Sequence, residues 1–339
     1  MNALFITHQK QSGLSLIELL IAMALSLMLM AGVLQIFSAN QKSFELTQDL
    51  SSLQENAQTA LSLMAESIRM ADHWGGVLSG KVTFDSSSLS AVAGECNSSW
   101  VLRSVPAIMG YDGSASIEAI KNLPSHCIAS SDYLKSSDLL VLRYADSKAV
   151  LPDSKIDNVR YKKHYFVRTK VGKAAYVFKG ANTDQAILNI KADNDVYNRD
   201  YQTHLYFLKP CSLKLNKTCQ NNIPSLSRLA LSGDRLVTQT LVEGVEQLQF
   251  FYGVDSNNDH KIDRYLNANE VSDWQRVISV HINLIVRTLE KDPSIDTSGK
   301  VIAMTAEVAK QGFSYIASEA DKHYRRKYYQ REVLLRNRL

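Results

Sequence analysis

Two regimes of apolar patterning divide this chain. From Leu14 to Phe37 the sequence is almost continuously apolar (LSLIELLIAMALSLMLMAGVLQIF) and carries one charge, Glu18. As a helix rising 1.5 Å per residue, it is long enough to cross a hydrocarbon core of about 30 Å. Beyond it, Leu46, Leu50, Leu53, Ala57, Leu61, Met64, Ile68 and Ala71 recur at steps of three and four, with mostly Gln, Ser, Thr, Asp and Glu between them. That spacing is the apolar stripe of an amphipathic helix. No proline precedes Pro106, and Gly75-Gly76 supplies a stop. The pattern therefore predicts one helix from Leu14 to about His73, roughly 90 Å long.

After Gly76 the apolar period shortens to two. In VISVHINLIVRT (277–288), Ile278, Val280, Ile282, Leu284 and Val286 share one face, with Ser279, His281, Asn283 and Arg287 opposite. Further strands are expected at 138–144, 160–168, 174–179, 203–208, 245–253 and in the closing YYQREVLLRNRL, with a short helix at 268–276 and long loops at 80–136 and 180–200. The fold class is α+β: a long helix laid on an antiparallel sheet in a large β-rich head. The expected division is a leader at 1–13, a membrane-spanning segment at 14–37, an amphipathic segment at 38–75 and a head at 76–339.

Composition narrows the class. A 45% hydrophobic, 21% charged chain of formal charge +4 is a folded protein without the dominant basic patch of a dedicated nucleic-acid binder. The four cysteines lie on the exported side of the anchor, where disulfides persist. Of the three pairings they allow, Cys211–Cys219 closes a short polar loop and is favoured, which leaves Cys96–Cys127; free buried thiols are the alternative. His-x-x-x-His, a Gly-x-Ser-x-Gly elbow and a phosphate loop are all missing from the sequence, so nothing points to an enzyme.

The leader MNALFITHQKQSG carries Lys10 and His8, and a positive flank on this side holds it in the cytoplasm. A secretory signal would place its small-residue cleavage site after the apolar run. Here the small residue, Gly13, precedes it. Gly13-Leu14-Ser15-Leu16-Ile17-Glu18 resembles the processing site of type IV prepilins. The resemblance implies that a prepilin peptidase cuts between Gly13 and Leu14 and methylates the new amine. It also implies that Glu18 neutralises the amine of a neighbouring subunit in a filament. An ionisable group in a membrane helix costs a few kcal/mol, so it is normally paired or functional.

ESIRMADHWGG, LVEGVEQLQFFYGVD, DRYLNANEVSDWQRVISVHINLIVRT and VLLRNRL are together similar to the PilW family of minor pilins, which itself resembles the J-type minor pseudopilin of type II secretion. That resemblance implies a pilin-like fold and a subunit that helps start or cap a pilus. Its implied partners are other minor pilins, the major pilin and a tip adhesin. The head would sit in the periplasm, below an inner-membrane anchor, before moving into the pilus. A type II secretion pseudopilin and an anchored periplasmic binding domain remain alternatives.

Two further segments carry candidate chemistry. Asp255, Asn257, Asp259 and Asp263 stand at positions 1, 3, 5 and 9 of an EF-hand-like calcium loop. His260 replaces the turn glycine and Leu266 the bidentate Glu, a role Glu270 could fill from the short helix. A polar hairpin loop is the plainer reading. Lys322-His323-Tyr324-Arg325-Arg326-Lys327 is basic with an interleaved aromatic, as phosphate contact requires. A solvated edge facing an acidic partner is preferred, and nucleic acid is not expected as a partner.

Overall fold

The computed structural model describes residues 13, 15–86, 96, 98–125, 127–147, 151–156, 159–216, 218–305 and 312–338. Leu14 and most of the leader lie outside them. The chain divides into a unit ending at Ser51 and a unit from Ser52 onward.

Helix α1 runs over Leu16–Met70. In the first unit its large apolar side chains are exposed, Leu16 at 77% and Met28 at 76%. The expected stripe begins later than its periodicity suggests: Leu46 and Leu50 are exposed, whereas Leu53, Ala57, Leu61, Met64 and Ile68 are buried in the second unit. The helix ends three residues short of His73. Asp72 then takes a left-handed φ of 66°, the conformation that closes many helix C-termini.

Sixteen strands follow among the described residues: β1 Val82–Phe84, β2 Ile108–Tyr111, β3 Leu139–Ala145, β4 Tyr165–Lys170, β5 Ala174–Lys179, β6 Val196–Lys209, β7 Lys214–Leu215, β8 Thr218–Cys219, β9 Ser225–Ser232, β10 Arg235–Glu243, β11 Val245–Val254, β12 Arg264–Leu266, β13 Val277–Arg287, β14 Val301–Thr305, β15 Gly312–Ile316 and β16 Arg326–Leu334. Three short helices join them, α2 Ser98–Val101, α3 Asp153–Ile156 and α4 Thr183–Asn189. One sheet is ordered β1-β5-β4-β6-β3-β2, with β9 on β6 and β10 on β9. A second is ordered β12-β11-β13-β16.

The buried face of α1 packs across both sheets. Leu140, Leu142, Tyr206 and Leu208 from the larger and Phe250, Tyr252, Ile282, Leu284 and Val333 from the smaller meet it in one core. Leu139, Val141, Leu205 and Phe207 point the other way, into a second core with Trp74, Trp100 and Val167. A strand covered on both faces has no polar side, so β3 reads as the continuous run LLVLRYA. The two sheets are also joined through Asp138. Its Oδ1 accepts from Gly113 N and its Oδ2 from Phe250 N, both at 2.8 Å, and its own N–H donates to Leu248 O. Burial pushes that carboxyl up to about 8 against the pull of the two amides.

Several expectations shift. Residues 160–164 form a turn ahead of β4, α4 and the start of β6 occupy the loop expected at 180–200, and 268–276 folds as two 3-10 turns. The hairpin β9–β10 adds two strands beyond those the alternation predicts.

Candidate functional site

Gly13 precedes the first helical turn, and among the described residues nothing lies within 4 Å of where a Cβ would stand on it. Ser15 and Glu18 form a reciprocal cap: Glu18 Oε2 accepts from Ser15 N at 2.9 Å, and Ser15 Oγ accepts from Glu18 N at 3.3 Å. This is the Ser-x-x-Glu capping box, which satisfies two amides that a helix start leaves without partners. Glu18 therefore has a duty within its own chain, and the Ser15 spacing was the signal for it. Leu14, whose amine the processing reading needs, lies outside the described residues.

The far end of α1 is closed by the C-terminus of the chain. Asn337 Nδ2 donates to Arg69 O at 3.1 Å and Ala71 O at 2.9 Å, two carbonyls the helix leaves unpaired. Arg338 Nε donates to Asp72 Oδ2 at 2.7 Å, and its Nη1 donates to Val277 O at 3.0 Å. Trp74 Nε1 takes the other Asp72 oxygen at 2.8 Å. The similar segments ESIRMADHWGG and VLLRNRL thus form one clasp.

At 255–263, Asp255 Oδ1 accepts from the amides of Asn257, Asn258 and Asp259, and Oδ2 from His260 N. Burial opposes the charge of Asp255, yet these four amides leave its carboxyl below the ordinary range. Asn257 Oδ1 accepts from Asp259 N, Asp259 Oδ1 from Lys261 N, and Asp263 Oδ2 from Ser256 N. His260 makes the left-handed turn despite its side chain, at φ 61°. Glu270 does not serve this loop through the acceptor oxygen it gives Asn267 N in a second capping box, and Leu266 lies in β12 opposite Tyr252. Among the described residues, no three His, Cys, Asp or Glu side chains gather as a metal centre.

The basic run 322–327 meets its acids inside the chain. Arg326 binds Glu246 with both nitrogens, Nε to Oε2 at 2.5 Å and Nη2 to Oε1 at 3.0 Å, and its side chain is 2% exposed. Arg325 pairs with Asp292 at 2.5 Å, Lys322 with Glu319 at 3.3 Å, and the Arg287 guanidinium stacks 3.9 Å above Tyr324. Lys322, Arg325 and Arg326 thus find acids within the chain, where the preferred expectation was an acidic partner outside it.

Cys96 and Cys127 are bonded with a Cα–Cα separation of 4.4 Å, and Cys211 and Cys219 with one of 5.8 Å. A serine and a histidine also meet, Ser67 Oγ lying 2.7 Å from Tyr206 Oη and 3.5 Å from His204 Nδ1, with Tyr144 Oη 3.3 Å from the same nitrogen. Burial lowers His204 to about 3, with Arg228 acting in the same direction. The cluster lies between α1 and the larger sheet; it satisfies buried polar groups rather than facing a substrate.

The geometry defines a class of protein with a capped apolar N-terminal helix clasped at its far end to a β-rich head. Comparison with known families gives two matches. Residues 8–34 match the prokaryotic N-terminal methylation motif, and residues 216–337 match the type IV pilus-assembly protein W family. Among solved structures, a type IV-like pilin, TTHA1219 from Thermus thermophilus, matches with 8% identity and a TM-score of 0.34, over 84% of this chain and 96% of that one. No curated protein matches. Each family match spans less than half of the chain, and over the matched residues the two support a likeness to type IV pilus minor pilins of the PilW family. That family is structural rather than enzymatic.

Proposed function

We propose that the chain is made as a precursor, cut by a prepilin peptidase between Gly13 and Leu14, methylated there, and assembled at the start or tip of a pilus. In this reading 14–37 spans the inner membrane, 38–75 continues the helix and 76–339 is a periplasmic head before assembly. The observation that carries it is the apolar surface from Leu16 to Phe37, exposed along its length in the single chain. An apolar patch of that extent requires lipid or other apolar helices, and a capped start at Ser15–Glu18 suits a helix whose leader is removed. Other minor pilins, the major pilin and a tip adhesin are the proposed partners. The test is the intact mass of the mature protein together with its incorporation into sheared pili. A chain that keeps its leader yet still enters pili would overturn the reading.

Asp255, Asn257, Asp259 and Asp263 are proposed as a weak calcium loop. The left-handed turn at His260 supports this, because it supplies the bend that glycine makes in such loops. The missing bidentate glutamate points to millimolar affinity, the weak end for extracellular modules.

A further inference from the structure

Strand β6 changes partner along one of its sides. Its residues 196–200 pair with β4 and its residues 204–209 with β9, while β3 takes the opposite side at 201–206. At 201–203 the two partners part, and a pocket of about 350 Å³ opens in the fork. Asp200 and Gln202 line it from β6, Ser232 and Gly233 from the end of β9, and Tyr161 and His164 from the turn ahead of β4.

The backbone fixes these walls. His164 N donates to Tyr161 O at 2.9 Å, Gly180 N to His164 O at 2.8 Å, and Asp146 N to Asp200 O at 2.8 Å. The Tyr161 ring stands edge-on to Phe166, with 6.2 Å between centroids. Gly233, at φ 62°, lets the His164 ring come within 3.4 Å of where a Cβ would stand. The side chains have no such engagement. Among the described residues, no hydrogen bond reaches the Asp200 carboxylate, the Gln202 amide, the His164 ring or the Tyr161 hydroxyl. Burial raises the Asp200 carboxyl, with His164 opposing the rise and Asp146 adding to it. Polar groups withdrawn from water are ordinarily satisfied, so several idle ones lining one pocket call for a ligand.

Their chemistry narrows its class. The formal charges at the pocket, Arg160 and Asp200, cancel, which favours a neutral ligand. An ionised Asp200 only accepts, whereas Gln202, His164 and Tyr161 both donate and accept. Adjacent hydroxyls match that set, since each oxygen does both. Tyr161 and Leu231 add apolar surface for the C–H groups of a ring. We propose that the fork binds one neutral hexopyranose unit, whose neighbouring hydroxyls donate to Asp200 and exchange hydrogen bonds with Gln202 and His164. The site rests on the pocket alone and is independent of leader removal.

The experiment is saturation-transfer NMR on the full-length protein in a detergent without a sugar headgroup. The probes are the methyl glycosides of glucose, galactose, mannose and N-acetylglucosamine. A single ring of about a dozen non-hydrogen atoms, at ordinary ligand efficiency, gives a dissociation constant on the order of 1 mM. The proposal expects at least one glycoside to bind in that range, and Asp200→Ala and Gln202→Ala each to weaken it about tenfold or more. Neither side chain bonds another in the chain, so both variants should keep the parent melting temperature. Silence from every glycoside at about 50 mM would overturn the proposal, as would a signal that both variants retain. Tighter binding of methyl phosphate or ethylamine than of any glycoside would make the pocket an ion site, which also overturns it.

Discussion

Arg338 and Asp72, 266 residues apart in sequence, form an ion pair at 2.7 Å with side chains only 7% and 10% exposed. It joins the 3-10 turn after β16 to the left-handed residue that follows α1.

Removing one partner of a buried pair leaves the other charge unmatched and typically costs 3–5 kcal/mol. Arg338→Ala should therefore destabilise the protein by about 3 kcal/mol in urea titrations of the detergent-solubilised chain. Asp72→Ala should add much less when combined with it than alone, the mark of coupled partners. Additive losses would show that the two residues act separately.

Glu18 combines a capping role seen in the structure with a proposed charge role, and glutamine separates them. Gln retains the capping box, since its side-chain oxygen still reaches the Ser15 amide, but it cannot neutralise an amine. Glu18→Gln and Glu18→Ala should both be processed and both fall out of sheared pili. Normal incorporation of Glu18→Gln would assign the residue to capping alone.

Asp138 predicts a pH dependence with a definite sign. Its folded carboxyl is pushed up to about 8 by burial, against an ordinary value of 3.8. The folded state therefore holds the proton more tightly than the unfolded state. The stability this group contributes is complete below about 3.8 and is lost as pH rises through 8, by at most about 1.4 kcal/mol per pH unit. Asp138→Asn should flatten that part of the stability–pH curve, followed by urea midpoints between pH 5 and 8. An unchanged slope in the variant would place the dependence elsewhere.

How much of this was legible in the sequence follows from where each signal resides. The stripe from Leu53 to Ile68 and the alternation at 277–288 are local, so the long helix and β13 could be read directly. Leu46 and Leu50 keep the period but not the burial, because periodicity states which residues share a face and not whether anything covers it. The hairpin β9–β10 carries little apolar alternation because β10 is mostly polar and exposed, and its local signal is Gly233–Asp234 between two strand-length runs. Ser15-x-x-Glu18 is an equally local signal, of a capping box. The Asp72–Arg338 clasp and the internal acids of the basic run are tertiary pairings, which no window of sequence contains.

Calcium at the 255–263 loop should raise the melting temperature of the protein. With a dissociation constant near 1 mM, about 10 mM calcium would add roughly 1.4 kcal/mol by binding only the folded state. Asp259→Ala should abolish the shift. An unmoved transition at 10 mM calcium would leave the loop closed by its own amides alone.

The central claim is that this helix becomes a filament subunit when Gly13 and the twelve residues before it are removed. Intact mass and N-terminal peptide sequencing of the protein from its native membranes test it most directly. The account predicts a chain that begins at Leu14 with a methylated amine, and a Gly13→Gln variant that stays in precursor form. A mature protein that still begins at Met1 would contradict it.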